Sequence, residues 1–130
     1  MRSRRARVEV TGPARPSLAW ERYADLQAWP TWAPQIRGVE ADGRRLAVGR
    51  AGVVRTVGGL GVRFVVTAVD ETAMTWSWIA RFGPVTLTLH HDLSPDPRGT
   101  RAGLVLDGPA LLVAAYGPLT RWPLRRLVRT

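Results

Sequence analysis

Asp25-Leu26-Gln27-Ala28-Trp29-Pro30-Thr31-Trp32-Ala33-Pro34 decides the fold. Two indoles within four residues are a large apolar load for a connecting segment. Pro30 and Pro34 stop that segment from continuing as one helix, because proline lacks the N–H and its ring clashes with the preceding turn. The rings need a covering surface from elsewhere in the chain. Upstream, from Ser17, the spacing is helical: Trp20, Tyr23 and Ala24 form one stripe, and Glu21, Arg22 and Asp25 lie away from it. This helix must end before Pro30.

Outward from this segment the chain reads as strands. Val8 and Val10 alternate with charged neighbours over residues 7–11, a short strand that Gly12-Pro13 ends. Downstream, strand patterns cover residues 36–41, 45–56, 62–69, 73–80, 85–93 and 100–106, separated by turn signals such as Asp42-Gly43, Gly58-Gly59 and Gly83-Pro84. Turns of a few residues require antiparallel neighbours, since a parallel crossover takes a dozen or more. After Gly108-Pro109, Leu111, Leu112, Ala115, Tyr116 and Leu119 return to helical spacing, continued by Leu124, Leu127 and Val128. Pro118 and Pro123 predict kinks in this last helix, and Asp107 is placed to cap it. The class is α+β, with one domain expected over residues 1–130.

Composition excludes several functions. The chain has no cysteine, so disulfides, thiolate metal sites and cysteine nucleophiles are ruled out, and only His90 and His91 offer imidazole. No metal and no cofactor are expected. No apolar stretch is long enough for a membrane span, and Arg4-Arg5 is not followed by the apolar run of an export signal, so the sequence predicts a cytoplasmic protein. The formal charge of +9 raises nucleic acid or an anionic membrane surface as partners. All 19 basic residues are arginine and the chain lacks both Lys and Asn, which reads as codon bias more than surface selection. The six tryptophans follow apolar patterns and do not interleave with arginine as a base-stacking surface does, which argues against nucleic acid. Arginines do cluster at both ends, Arg2, Arg4, Arg5, Arg7 and Arg15 against Arg121, Arg125, Arg126 and Arg129, and would form one patch if the ends met in space.

The chain resembles the helix-grip proteins of the START-like or SRPBCC superfamily, which includes polyketide cyclase/dehydrase and lipid-transport proteins. Trp20, Asp25 and Trp29-Pro30-Thr31-Trp32 carry the likeness, with Gly49, Val69-Asp70, Trp76 and the Gly99-Thr100-Arg101 turn, in this order across nearly the whole chain. The resemblance implies a curved seven-stranded antiparallel sheet wrapped around a long C-terminal helix, two short helices after strand one, and a deep apolar cavity between sheet and helix. In the aromatase/cyclase branch, catalysis is assigned to a pocket arginine and a tyrosine, with a tryptophan or histidine in some members. Trp29 matches the branch's tryptophan, but Ile36 stands where its tyrosine would be and Ala68 near its arginine.

Period-two alternation assigns faces on the strands. His91 shares the inward face with Val85, Leu87, Leu89 and Leu93, and His90 points to solvent. His91 can serve equally as a core histidine or as a ligand-binding or catalytic group. Trp76 and Trp78 share a face, as do Phe64, Val62 and Val66. Leu104 and Leu106 face inward from the last strand, and Leu112 and Tyr116 from the helix. The expected ligand-binding set is Trp29, Trp32, Phe64, Val66, Trp76, Trp78, Leu87, Leu89, His91, Leu104, Leu112 and Tyr116. Arg50 shares a face with Leu46, Val48 and Val54, so it is either an inward cation for a ligand carbonyl or is turned out by a bulge near Gly49 and Gly52.

Three functions follow. The leading one is binding of a hydrophobic, polyketide-like or lipid-like small molecule. The second is a cyclase or dehydratase, with His91, Arg50 and Tyr116 as candidate acid–base groups. The third is a basic protein acting on an anionic surface. Oligomeric state is not readable from the sequence.

Overall fold

The computed structural model describes residues 2–130. Strand β1 (Ser3–Gly12) is followed by helix α1 (Pro16–Ala24), a 3-10 turn (Leu26–Ala28) and the single-turn helix α2 (Trp29–Trp32). Six strands follow: β2 (Ile36–Ala41), β3 (Ala51–Thr56), β4 (Gly61–Asp70), β5 (Thr75–Phe82), β6 (Val85–Asp96) and β7 (Gly99–Pro109). The C-terminal helix is α3 (Ala110–Tyr116), a 3-10 turn (Gly117–Thr120) and α4 (Arg121–Leu127). All pairings are antiparallel, in the spatial order β1-β7-β6-β5-β4-β3-β2. The helix-grip architecture expected from the sequence is therefore present.

The inward alternation holds across strands. One row reads Val69, Trp76, His91, Leu104 and Val8, and the next reads Val66, Trp78, Leu89, Leu106 and Ala6. Such cross-strand neighbours on one face are what bind a sheet laterally. α3 packs on β1 and β7, and α4 on β1 and α2, so the helix closes the face that these rows present. The break in the helix falls at Pro118, which lacks the N–H a continuous α-helix needs there.

Most strand ends shift by one to three residues, and three larger departures from expectation have a physical reason. β1 begins four residues early, because Ser3 to Arg5 pair with Pro109 to Asp107 through backbone alone and their side chains show no apolar alternation. Residues 45–50 are not strand. Residues 44–46 instead meet the exit of α1, where the Leu26 N–H donates to the Arg44 carbonyl and the Leu46 N–H to the Ala24 carbonyl. The chain returns to β4 only at Gly49 and Arg50, whose N–H and carbonyl respectively bond Val66. Asp107 caps nothing: it lies within β7 opposite Thr88 and Arg5, and α3 begins after Pro109 without a side-chain cap.

The Gly99-Thr100 turn ties β7 to the chain after β1. Gly99 has φ +135°, and a side chain there would collide with the Gly12 carbonyl. The buried Thr100 hydroxyl donates to the Ala14 carbonyl at 2.6 Å. Ala110 N–H donates to the Arg2 carbonyl, Arg121 to the Glu9 carbonyl, and Ala14 N–H to the Val128 carbonyl, so the C-terminal helix runs alongside β1 from one end to the other. The two terminal arginine clusters therefore meet in part: Arg15 follows Ala14, which bonds the Val128 carbonyl, and Arg121 reaches Glu9, the partner of Arg7, whereas Arg2, Arg4 and Arg5 lie toward the other end of β1.

Candidate ligand-binding site

The end of α1 explains the paired tryptophans. A helix leaves its last carbonyls without intrahelical partners. Here Trp29 Nε1 donates to the Tyr23 carbonyl at 2.9 Å, and Trp32 Nε1 donates to the Arg22 carbonyl at 2.9 Å. Pro30 occupies the first turn of α2, where the missing N–H removes no hydrogen bond. Asp25 organises the preceding turn by accepting from Gln27 N–H at 3.0 Å. These bonds fix both indoles facing inward. Trp29, 1% exposed, lies 5.4–5.8 Å from the rings of Phe64, Trp76 and Trp78.

Between these rings, the sheet and the C-terminal helix lies a cavity of about 470 Å³. Trp29, Trp32, Trp76 and Trp78 line it, with Leu87, Leu89, His91 and Leu104 from β6 and β7 and Leu112 and Tyr116 from α3. Phe64 and Val66 do not reach the lumen. Phe64 sits against the rings of Trp29 and Trp78, and Val66 is cross-strand to Trp78, so both are core residues outside the wall.

Further wall residues were missed by sequence reasoning. Ala33, Gln35 and Ile36 come from the connection after α2, Val54, Thr56, Leu60 and Val62 from the β3–β4 hairpin, and Ala80, Phe82 and Val85 from the β5–β6 hairpin. Thr120, Pro123 and Leu124 line it from the C-terminal helix. Val62 and Ala80 were legible, since alternation puts them on the faces of Phe64 and Trp78. Gln35 and Leu60 lie in turns, where periodicity carries no signal. Leu60 and Phe82 line the cavity yet are 51% and 48% exposed, which marks the mouth beside the β3–β4 and β5–β6 turns.

His91 is 5% exposed and stacks on Trp76, with centroids 4.3 Å apart and planes at 6°. Trp78 Nε1 donates to His91 Nε2 at 2.9 Å. The proton of the neutral ring therefore sits on Nδ1, which lies 3.1 Å from the Tyr23 hydroxyl. Burial, with a smaller contribution from His90, lowers the His91 pKa to about 3, and burial raises that of Tyr23. His90 is less solvated than expected, with Nδ1 2.7 Å from the Ser77 hydroxyl.

The other candidate acid–base groups are not assembled around His91. Arg50 lies outside the cavity wall, because its guanidinium is held over Gly43 on the 42–45 loop. Its Nε donates to the Arg45 carbonyl at 2.8 Å and its Nη1 reaches Asp42 at 3.4 Å. Tyr116 lines the cavity and its hydroxyl accepts from Gln35 Nε2 at 3.4 Å; burial raises its pKa. Among the described residues no group of His, Asp and Glu is arranged to hold a metal ion, and no helix is long and apolar enough to cross a membrane.

Solved structures share this fold at low identity. Ara h 8.0201 aligns over 96% of this chain and 95% of its own, with a TM-score of 0.76 and 15% identity. A Mesorhizobium loti protein aligns over 95% of this chain and 93% of its own, with a TM-score of 0.81 and 17% identity. A Chromobacterium violaceum protein aligns over 95% of this chain and 94% of its own, with a TM-score of 0.73 and 16% identity. Comparison with curated proteins found no match. The family model described as polyketide cyclase/dehydrase and lipid transport matches residues 3–130. With its sequence matched along that length and its strands and helices in the helix-grip order, this chain belongs to that family, within the SRPBCC superfamily.

Proposed function

We propose that the protein binds a hydrophobic small molecule, polyketide-like or lipid-like, in the cavity between sheet and C-terminal helix. The observation that carries this reading is the space of about 470 Å³ walled by four indoles and aliphatic side chains, with a mouth at Leu60 and Phe82. Its size is typical of sites that enclose a small organic ligand.

The state of His91 supports binding over acid–base turnover. A general base needs a free lone pair and a pKa near the working pH. The Nε2 lone pair of His91 already accepts from Trp78, and burial suppresses its basicity. Cyclase chemistry in this cavity would rest on templating a reactive chain, with little help from a proton-transfer pair.

Native mass spectrometry of the protein purified from its own host tests the reading. The expected result is an adduct mass that persists at low collision energy and disappears in an Ala80→Phe variant, whose added ring occupies the cavity. A protein that carries no adduct, and takes none up from a total lipid and metabolite extract of the host, would overturn it.

A further inference from the structure

Nineteen arginines and ten acidic residues are distributed over this chain, yet none of them lines the cavity. An ion moved into such a space leaves water and meets no counter-charge, at a cost of several kcal/mol. The wall's few polar groups can then be sorted by whether their hydrogen-bonding capacity is already used.

Most of it is. The indole N–H groups of Trp29, Trp32 and Trp78 donate to Tyr23, Arg22 and His91, and that of Trp76 is buried with no acceptor and no surface toward the lumen. His91 is engaged at both nitrogens. The Thr120 hydroxyl donates to the Gly117 carbonyl at 2.6 Å. The Thr56 hydroxyl donates to the Leu60 carbonyl and accepts from the Leu60 N–H, both at 3.1 Å.

Gln35 and Tyr116 hold the free donors that remain. They face each other from the loop after α2 and from the end of α3, joined by one long contact of 3.4 Å from Gln35 Nε2 to the Tyr116 oxygen. That bond leaves the Gln35 carbonyl oxygen, its second N–H and the Tyr116 O–H proton without a partner among the described residues. The Gln35 backbone carbonyl accepts from Val57 N–H at 3.0 Å, which anchors this residue to the β3–β4 turn beside the mouth. One donor-acceptor clasp in an uncharged wall with no other free donor open to the lumen is a recognition element for a single polar group.

We propose that the cavity selects an uncharged ligand with an apolar body and one hydroxyl or carbonyl group, held between Gln35 and Tyr116. This rests on the cavity-binding reading above and deepens it. The clasp supplies a donor and an acceptor, so a hydroxyl can use both, whereas a carboxylate would bring a charge that no wall residue balances.

Fluorescence titration with three pyrenes at pH 7.5 and 0.3 M salt tests it: 1-methylpyrene, 1-pyrenemethanol and ionised 1-pyrenecarboxylate. The wild-type protein should bind the alcohol about fivefold to tenfold more tightly than the methyl compound, the value of one net hydrogen bond, and the carboxylate at least about tenfold more weakly than the alcohol. Gln35→Leu and Tyr116→Phe should each bring the alcohol within about twofold of the methyl compound measured on the same variant. Equal binding of alcohol and methyl compound by the wild type, or binding of the carboxylate as tight as that of the alcohol, would overturn the clasp and leave the cavity reading standing. Failure of every pyrene to bind would overturn both.

Discussion

The Trp78 indole N–H donates to His91 Nε2 at 2.9 Å, and this bond decides what the one buried histidine can do. It holds the ring neutral with its proton on Nδ1, stacked on Trp76 and shielded from water. The imidazole is thereby part of the wall.

Its titration has a definite sign. The folded pKa of about 3 lies below the ordinary value of 6.5, so the unfolded chain takes up the proton first. The contribution of His91 to stability is full above about pH 6.5 and is lost as the pH falls toward about 3, at up to about 1.4 kcal/mol per pH unit. The unfolding free energy of the wild type minus that of His91→Gln should therefore shrink by about 2 kcal/mol between pH 7 and pH 5. Urea denaturation at both pH values measures it, and parallel pH profiles would refute the buried neutral state.

Trp29→Phe removes the donor to the Tyr23 carbonyl and opens space beside Trp76 and Trp78. The expected loss is about 2–4 kcal/mol, from an orphaned buried carbonyl and a partly collapsed cavity. Chemical denaturation midpoints measure it, and a loss under about 0.5 kcal/mol would mean that the indole N–H does not secure the end of α1.

At Gly99, φ +135° and the nearby Gly12 carbonyl leave no place for a side chain. Gly99→Ala should cost about 2 kcal/mol or more, whereas Gly58→Ala, in open space, should stay within about 0.5 kcal/mol. Thermal denaturation of the two variants separates backbone requirement from general turn sensitivity.

Arg22 reaches from α1 to the last turn of the C-terminal helix, where Nη1 donates to the carbonyls of Leu127 and Arg129 at 2.6 Å each. A cation at a helix C-terminus satisfies orphan carbonyls and complements the dipole. Arg22→Met should cost about 1.5–3 kcal/mol and speed amide exchange over residues 124–128 with little change in the central strands. Uniform acceleration across the sheet would contradict a local clamp.

The parts of the fold governed by side-chain periodicity were legible in the sequence. Alternation through Trp76, Trp78, Leu87, Leu89 and His91 placed these residues on the inner face, where the cross-strand rows now hold them. What escaped was set by backbone pairing or by turns. Residues 45–50 alternate like a strand, but the backbone at Leu46 serves the exit of α1, and the Arg50 side chain is held by the Arg45 carbonyl and Asp42 away from the cavity. Phe64 and Val66 have the right parity and still do not line the lumen, because parity reports the face and says nothing of depth. Gln35 gave no signal, since its position depends on how a loop after two prolines meets an α-helix from the far end of the chain.

The central claim is that the apolar cavity, and not the arginine-rich surface, is where a ligand is held. Titration with the neutral dye N-phenyl-1-naphthylamine tests it on four proteins: wild type, Leu89→Arg, Ala80→Phe and the double variant Arg4→Ala with Arg5→Ala. A saturable fluorescence rise is expected for the wild type and the arginine variant alike, with affinity at least about tenfold weaker in both cavity variants, as follows from lost space or a buried charge. Equal losses from the cavity and arginine variants, or full binding by folded Ala80→Phe protein, would contradict it.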